Sequence, residues 1–246
     1  MDVLATAAAA RAEGPLCDSC LGRVVADRSH GLSNAERGTA LRVCGNLQDD
    51  TPTEDVDAGA CWVCGGLSQH FDQWAERCVD AVGGTEFETY QVGSRPPPLV
   101  VENDRLLREL IGVAPDAGES IRSELNREVG KHIGKLSDTT VDFTRPHVQF
   151  IIDVEAEAVV VEVNSAFIYG RYRKLQRGIP QTKWPCSECD GSGRAGRTAC
   201  PACEGTGFRY PTSVEQEIAP VVEEIMEGVD SRFHGAGRED VDARML

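Results

Sequence analysis

The chain has 246 residues, with 25 Lys and Arg against 40 Asp and Glu, a formal net charge of -15 and 41% hydrophobic residues. That apolar share supports a buried core and excludes a wholly disordered chain, and the length allows one or two domains of roughly 100–200 residues each. No apolar run approaches the ~20 residues that a membrane-spanning helix needs, which excludes an integral helical membrane protein.

The opening stretch, Met1 to Gly14, carries neither a basic n-region nor a convincing apolar h-region, so no secretory signal is read there and a cytoplasmic location is expected. In a reducing compartment, paired cysteines read as metal ligands before disulfides. The first set is Cys17-Asp-Ser-Cys20 and Cys61-Trp-Val-Cys64, with a 40-residue separation. Each Cys-x-x-Cys turn points two thiolates at one ion, and two turns complete a tetrahedral sulfur site for structural zinc. Residues 1–65 are therefore expected to form a small N-terminal zinc module, with the polar segment from Asp50 to Gly59 as a surface loop.

Apolar residues then recur at 67, 71, 74, 75, 78, 79 and 82, a helical stripe that puts Cys78 in the core rather than on a metal. Phe87–Val92 reads as a strand ended by Arg95-Pro-Pro-Pro. Ile121, Leu125, Val129 and Ile133 predict a helix over 119–135. The β-branched runs 148–154 and 159–163, joined by Glu155-Ala-Glu-Ala, predict a hairpin. This alternation gives a mixed α/β domain and an α+β class for the whole chain.

Between Val163 and Ser187 five basic residues occur without an acid, although the chain as a whole is strongly acidic. Arg171, Arg173, Lys174, Arg177 and Lys183 interleave with Tyr169, Tyr172 and Trp184. Guanidinium and ammonium groups for phosphates, beside rings for bases, suit RNA recognition. The bland alternative is a solvated basic loop pairing with acids elsewhere. Next comes an internal repeat, Cys186-Ser-Glu-Cys189-Asp-Gly-Ser-Gly and Cys200-Pro-Ala-Cys203-Glu-Gly-Thr-Gly. It predicts a zinc knuckle over 185–209, with glycines supplying positive φ; a redox pair is the alternative. A last helix is expected over 211–229, opened by a Thr212–Glu215 capping box and kinked at Pro220.

Of the 25 basic residues only four are Lys, and the acids are spread along the chain. A dispersed acidic, lysine-poor surface suits work at very high salt, where repulsion is screened within a few ångströms.

Several of these stretches together resemble the archaeal tRNA pseudouridine synthases of the Pus-ten family. They are Cys17-Asp-Ser-Cys-Leu-Gly-Arg, His30-Gly-Leu-Ser-Asn-Ala-Glu-Arg-Gly, Cys61-Trp-Val-Cys-Gly-Gly and Ser123-Glu-Leu-Asn-Arg-Glu-Val-Gly-Lys, followed by Tyr169-Gly-Arg-Tyr-Arg-Lys-Leu, Arg177-Gly-Ile-Pro-Gln-Thr, Tyr210-Pro-Thr-Ser-Val-Glu and Gly237-Arg-Glu-Asp-Val-Asp. The resemblance implies a THUMP-like RNA-binding domain over 66–184. It also implies isomerisation of uridines fifty-four and fifty-five of the tRNA T loop, without an organic cofactor. The partner is then the tRNA T arm, not DNA or a membrane. The family's catalytic aspartate falls in an Arg-x-Asp loop, which maps onto Arg238-Glu239-Asp240. Asp240 becomes the catalytic candidate, with Asp242 as alternate and Arg238 as a further RNA contact. A carboxylate there would attack C1′ or remove the 2′ proton. Residues 210–246 would be the beginning of a truncated catalytic domain, so the chain is expected to bind tRNA and turn over poorly alone. A longer spacer between Cys189 and Cys200 than the family's knuckle reads as a loop insertion. Two other readings stand beside this one, a non-catalytic tRNA-binding zinc protein and a zinc-knuckle co-chaperone; the latter normally carries four such repeats and a His-Pro-Asp hairpin.

Overall fold

The computed structural model describes residues 2–52, 56–237 and 239–245. The chain divides into two compact units, residues 1–166 and 167–246.

The first unit opens with three helices, α1 (Val3–Ala12), α2 (Asp18–Arg23) and α3 (Asn34–Asp49). Asp2 caps α1. A reciprocal Ser33/Glu36 capping box starts α3, satisfying donors that the first helical turn leaves unpaired. Helices α2 and α3 cross at Gly22 and Gly38. A Cβ at Gly22 would lie 1.9 Å from the Asn34 carbonyl, and one at Gly38 equally close to that of Asp18. Only glycine permits this approach.

Helix α4 (Phe71–Val82) follows the expected stripe and buries Phe71, Trp74, Ala75 and Cys78. Strand β1 (Thr89–Arg95) begins and ends slightly later than its apolar pattern suggested. The proline run that was expected to stop this strand also starts helix α5 (Pro98–Leu110), with Pro98 in the first turn where no N–H is needed. Helix α6 (Ile121–Ser137) is capped by Ser120. Short β2 (Thr140–Val141) precedes the hairpin β3 (Val148–Asp153) and β4 (Ala158–Val163). The sheet order is β2-β1-β3-β4. β1 runs parallel to both neighbours and β3 pairs antiparallel with β4, placing Val92 opposite Phe150 and Phe150 opposite Val161. Alternate residues of β3 are buried, as a one-faced sheet requires. One continuous core contains Tyr90, Phe150, Leu107, Leu125, Ile133 and, at the other end of the chain segment, Leu16, Leu21, Val24 and Val63.

The second unit carries a tiny hairpin, β5 (Arg194–Ala195) and β6 (Thr198–Ala199), and helix α7 (Val214–Ile225). The cap of α7 is Ser213, whose hydroxyl accepts from the Gln216 N–H. This corrects the expected Thr212–Glu215 box by one residue, and the reason is burial: Ser213 is fully enclosed. Pro220 lies within the helix. Among the described residues no helix is long and apolar enough to cross a membrane.

Candidate metal centres and nucleic-acid interface

Cys17 is the N-cap of α2, so its sulfur faces the start of the helix and accepts from the Cys20 N–H at 3.5 Å. Cys61 ends a 3-10 turn at Ala58–Ala60, and its carbonyl accepts from Gly65, folding Cys64 back beside it. The four sulfurs lie within 4.8 Å of one another, with Cys17 and Cys64 3.6 Å apart. A zinc tetrahedron with bonds of about 2.3 Å has edges of about 3.8 Å, so the donor set and spacing fit the ion. The thiols also share protons. Hydrogen bonds from Cys17 and then Cys20 bring Cys61 down to about 6, while the bond to Cys17 foremost holds Cys20 well above the ordinary thiol value.

Arg23 is wholly buried beneath this cluster. Its Nη2 donates to the Cys20 sulfur at 3.2 Å and to Asp104 at 2.9 Å, and its Nη1 donates to Glu124 at 2.6 Å. One guanidinium thus ties the metal cluster to α5 and α6. Sequence reading missed it, because its partners lie 81 and 101 residues away.

The second cluster is a close internal duplication. Cys186 N–H donates to the Gly207 carbonyl and Cys200 N–H to that of Gly193. The Ser192 and Thr206 hydroxyls each reach back 2.7 Å to the carbonyls of Cys189 and Cys203. Gly193 and Gly207, at φ 69° and 80°, cross where a Cβ would lie 2.4 Å from the opposing carbonyl. The four sulfurs again lie within 4.8 Å, with Cys189 and Cys203 3.8 Å apart. Desolvation opposes ionisation of Cys203, but the Gly207 N–H and the neighbouring thiols outweigh it and bring the thiol to about 7. The longer spacer forms the β5–β6 hairpin and leaves the cluster whole. Cys44 and Cys78 join neither group. Cys44 is exposed and Cys78 is buried, its thiol pushed up to about 12 by desolvation.

The basic segment does not present all its cations alike. Arg171, Arg173, Arg177 and Lys183 are exposed, with Lys183 lying 5.3 Å over the Phe208 ring. Lys174, grouped with them by sequence, is buried at 6% exposure. Its ammonium donates to the carbonyls of Asp240 and Val241 at 3.0 and 2.8 Å and sits 3.8 Å from Glu239. This corrects its assignment: a buried ammonium spent on loop carbonyls cannot reach a phosphate, and Lys174 is a fastening for the Asp240 loop. Tyr172 acts in the same way, donating to Glu239 at 3.0 Å and packing edge-on against Phe233. Gln181, which sequence reading overlooked, donates 2.7 Å to the Gly237 carbonyl. Gly178 N–H and Met245 N–H complete the lacing, to Val241 and Lys174 carbonyls.

Asp240 itself is exposed, its Oδ1 accepting from the Asp242 N–H at 3.1 Å. Asp242 is exposed beside it. Arg238 lies outside the described residues. The basic segment and the aspartate loop, about 66 residues apart in sequence, are therefore one construction.

Fold and sites together define a two-unit α/β protein with two four-cysteine groups able to hold a metal and a carboxylate loop fastened by Lys174. Residues 74–153 match the archaeal THUMP domain of Pus10, and residues 167–246 match the Pus10 C-terminal family. The chain is 59% identical, over its whole length, to a tRNA pseudouridine synthase Pus10 of Halorubrum lacusprofundi, covering 58% of that protein. It is 36% identical over 270 aligned positions to the one from Methanothrix thermoacetophila, covering all of this chain and 58% of the relative. To that of Methanothermobacter marburgensis it is 39% identical over 237, covering 95% of this chain and 55% of the relative. The chain belongs to the Pus10 family. It spans somewhat over half the length of these curated relatives. The lysine-poor acidic surface accords with the relative from a halophile.

Proposed function

We propose that this chain is the tRNA-binding part, with the catalytic loop, of a tRNA pseudouridine synthase acting on uridines fifty-four and fifty-five of the T loop. The observation that carries the reading is the lacing of the Asp240 loop onto the basic segment by Lys174, Tyr172 and Gln181. A carboxylate that is to meet a sugar must be held at a fixed place relative to the groups that hold the RNA, and this arrangement supplies both from one unit. Support also comes from the relatives, which are tRNA pseudouridine synthases.

On this reading Arg171, Arg173, Arg177 and Lys183 meet phosphates of the T arm, as Arg238 would from the aspartate loop. The residues from 66 to 184 seat the tRNA as a THUMP-like domain. Residues 210–246 begin the catalytic domain. Asp240 acts at the ribose of a flipped uridine, either attacking C1′ or removing the 2′ proton while the base turns and rejoins through C5. Zinc in both four-cysteine groups supplies folding energy and no chemistry. The setting is the cytoplasm.

The test pairs binding with turnover. The 246-residue chain should retain labelled tRNA on a filter, with affinity falling steeply as salt rises, and Asp240→Ala should leave that retention unchanged. Pseudouridine, read by chemical derivatisation and primer extension, should form slowly or not at all. Rapid formation by this chain alone, abolished by Asp240→Ala, would overturn the low-activity part. Failure to retain tRNA, with capture of an unfolded peptide instead, would favour the co-chaperone.

A further inference from the structure

Burial alternates along the stretch that opens the second unit. Tyr172 is half-buried and Lys174 is buried. Both turn to the aspartate loop, Tyr172 through Glu239 and Lys174 through the carbonyls of Asp240 and Val241. Arg171, Arg173 and Leu175, which flank them, are exposed. None of residues 169–177 takes a positive φ, and side chains of an extended chain point to opposite sides in turn. One face of the stretch is therefore spent on fastening the loop, and the other is left to solvent. Tyr169 falls in the register of the open face and is 87% exposed. Gly170 beside it has nothing within 4 Å of where a Cβ would lie.

The chemistry of the open face follows from what it lacks. Among the described residues neither the Arg171 nor the Arg173 guanidinium has a hydrogen-bond or carboxylate partner. No acid occurs between Val163 and Ser187, and Glu239 meets the stretch from the fastened face. Residues two apart on an extended chain lie about 6.6 Å from each other, a spacing comparable with the step between successive phosphates of one unstacked strand. Two unpaired cations held side by side repel unless anions lie across both. The free Tyr169 ring, one step further along the same face, is a platform on which an unpaired base can stack. In a duplex the bases stack on one another and offer that ring nothing.

We propose that the open face of 169–175 is a rail for one unpaired RNA strand, with successive phosphates on Arg171 and Arg173 and a base stacked on Tyr169. Exposed Leu175 extends the rail with an apolar surface for a ribose or a further base. The carboxylate loop is fastened to the opposite face, so the nucleotides on the rail are neighbours of the reacting uridine and not the uridine itself. The proposal rests on the RNA reading above and adds to it the form of the strand and a stacking residue.

The experiment is fluorescence anisotropy on the full chain with labelled octauridylate and with a blunt RNA duplex of the same length, beside tRNA retention measured on the same samples. Octauridylate should bind, and combining Arg171→Gln with Arg173→Gln should flatten the log–log salt slope of its affinity by about 1.4, the share of two phosphate contacts on a single strand. Arg194→Gln with Arg197→Gln removes the same charge from the zinc knuckle and should leave that slope nearly unchanged. Tyr169→Ala should weaken octauridylate by about fivefold or more, Tyr169→Phe should not, and neither should alter duplex binding. All five side chains are exposed, so far-UV circular dichroism should superimpose for every variant. Equal flattening by both arginine pairs, equal weakening of octauridylate and duplex by Tyr169→Ala, or no octauridylate binding overturns the proposal even if tRNA is retained. Octauridylate binding that needs Tyr169, without tRNA retention, keeps the rail and removes the tRNA reading instead.

Discussion

At the scale of single residues, two glutamates five positions apart, Glu119 before the cap of α6 and Glu124 within it, show how surroundings set charge. Burial pushes the Glu124 carboxyl up although Arg23 pulls the other way. Glu119 also feels desolvation, but the two-pronged Arg127 contact and the Asn34 amide outweigh it and hold the carboxyl below its usual range. Arg23 is therefore what makes a carboxylate at 124 tolerable. Breaking a buried pair from one side costs about 3–5 kcal/mol, because the partner is left charged and dry. Arg23→Met should lower the urea stability of the chain by about that amount at pH 7. The sign of the pH dependence follows. Glu124 without Arg23 would keep the desolvation that raises its folded pKa and lose the pull that lowers it, so it favours folding when protonated and opposes it as pH climbs through the folded value. The deficit of Arg23→Met should accordingly shrink toward pH 4 and be largest at neutral pH. A deficit that does not change between those values would mean that Arg23 acts through packing and the Cys20 sulfur alone.

At the scale of elements, the duplicated knuckle shows how much local sequence specifies. The repeat of cysteines and glycines predicts the metal geometry because every contact in it lies within a few residues or is copied by the pseudo-symmetry. Its tolerance should be uneven. Gly193→Ala places a Cβ against the Gly205 carbonyl in a left-handed backbone, whereas Gly196 has a similar φ of 67° and nothing within 4 Å. Release of zinc to a chromogenic chelator should be many-fold faster for Gly193→Ala and nearly unchanged for Gly196→Ala. Equal rates would show that strain, rather than the crossing, governs the knuckle. Helices α4 and α6 were legible for a related reason, since their stripes bury Trp74, Cys78, Leu125 and Ile133 as the spacing says. Helices α1, α3 and α5 were not. α1 has six alanines in its ten residues and lacks a polar face to set a period. α3 has few apolar residues to make a stripe. α5 opens at the very prolines that read as a stop.

At the scale of the whole chain, the sites divide into what local pattern reveals and what only folding assembles. The cysteines announce themselves, but the pairing of Arg23 with Glu124 and of Lys174 with the Asp240 loop spans distances over which spacing carries no information. The same division separates the two metal centres energetically. Cys17, Cys20, Cys61 and Cys64 belong to the large core that also holds Leu21, Val24, Tyr90 and Phe150. Cys186, Cys200 and Cys203 form a small buried cluster of their own, with Cys189 against it. Loss of metal from the first would loosen a wall of the main core and the Cys20 sulfur that Arg23 contacts. Loss from the second removes what holds the knuckle closed and little else, because its few other contacts are turn hydrogen bonds. Purified protein should carry about two zinc ions per chain. Under chelation, hydrogen exchange should rise in two steps. Amides of 186–208 should lose protection together without moving the melting temperature of residues 1–166, whereas extraction of the first ion should lower that temperature and release α2, α3 and the buried end of α6. Cys17→Ser and Cys186→Ser separate the steps, since each removes one centre and leaves the other. A chain in which both variants lower the melting of residues 1–166 equally would contradict the division.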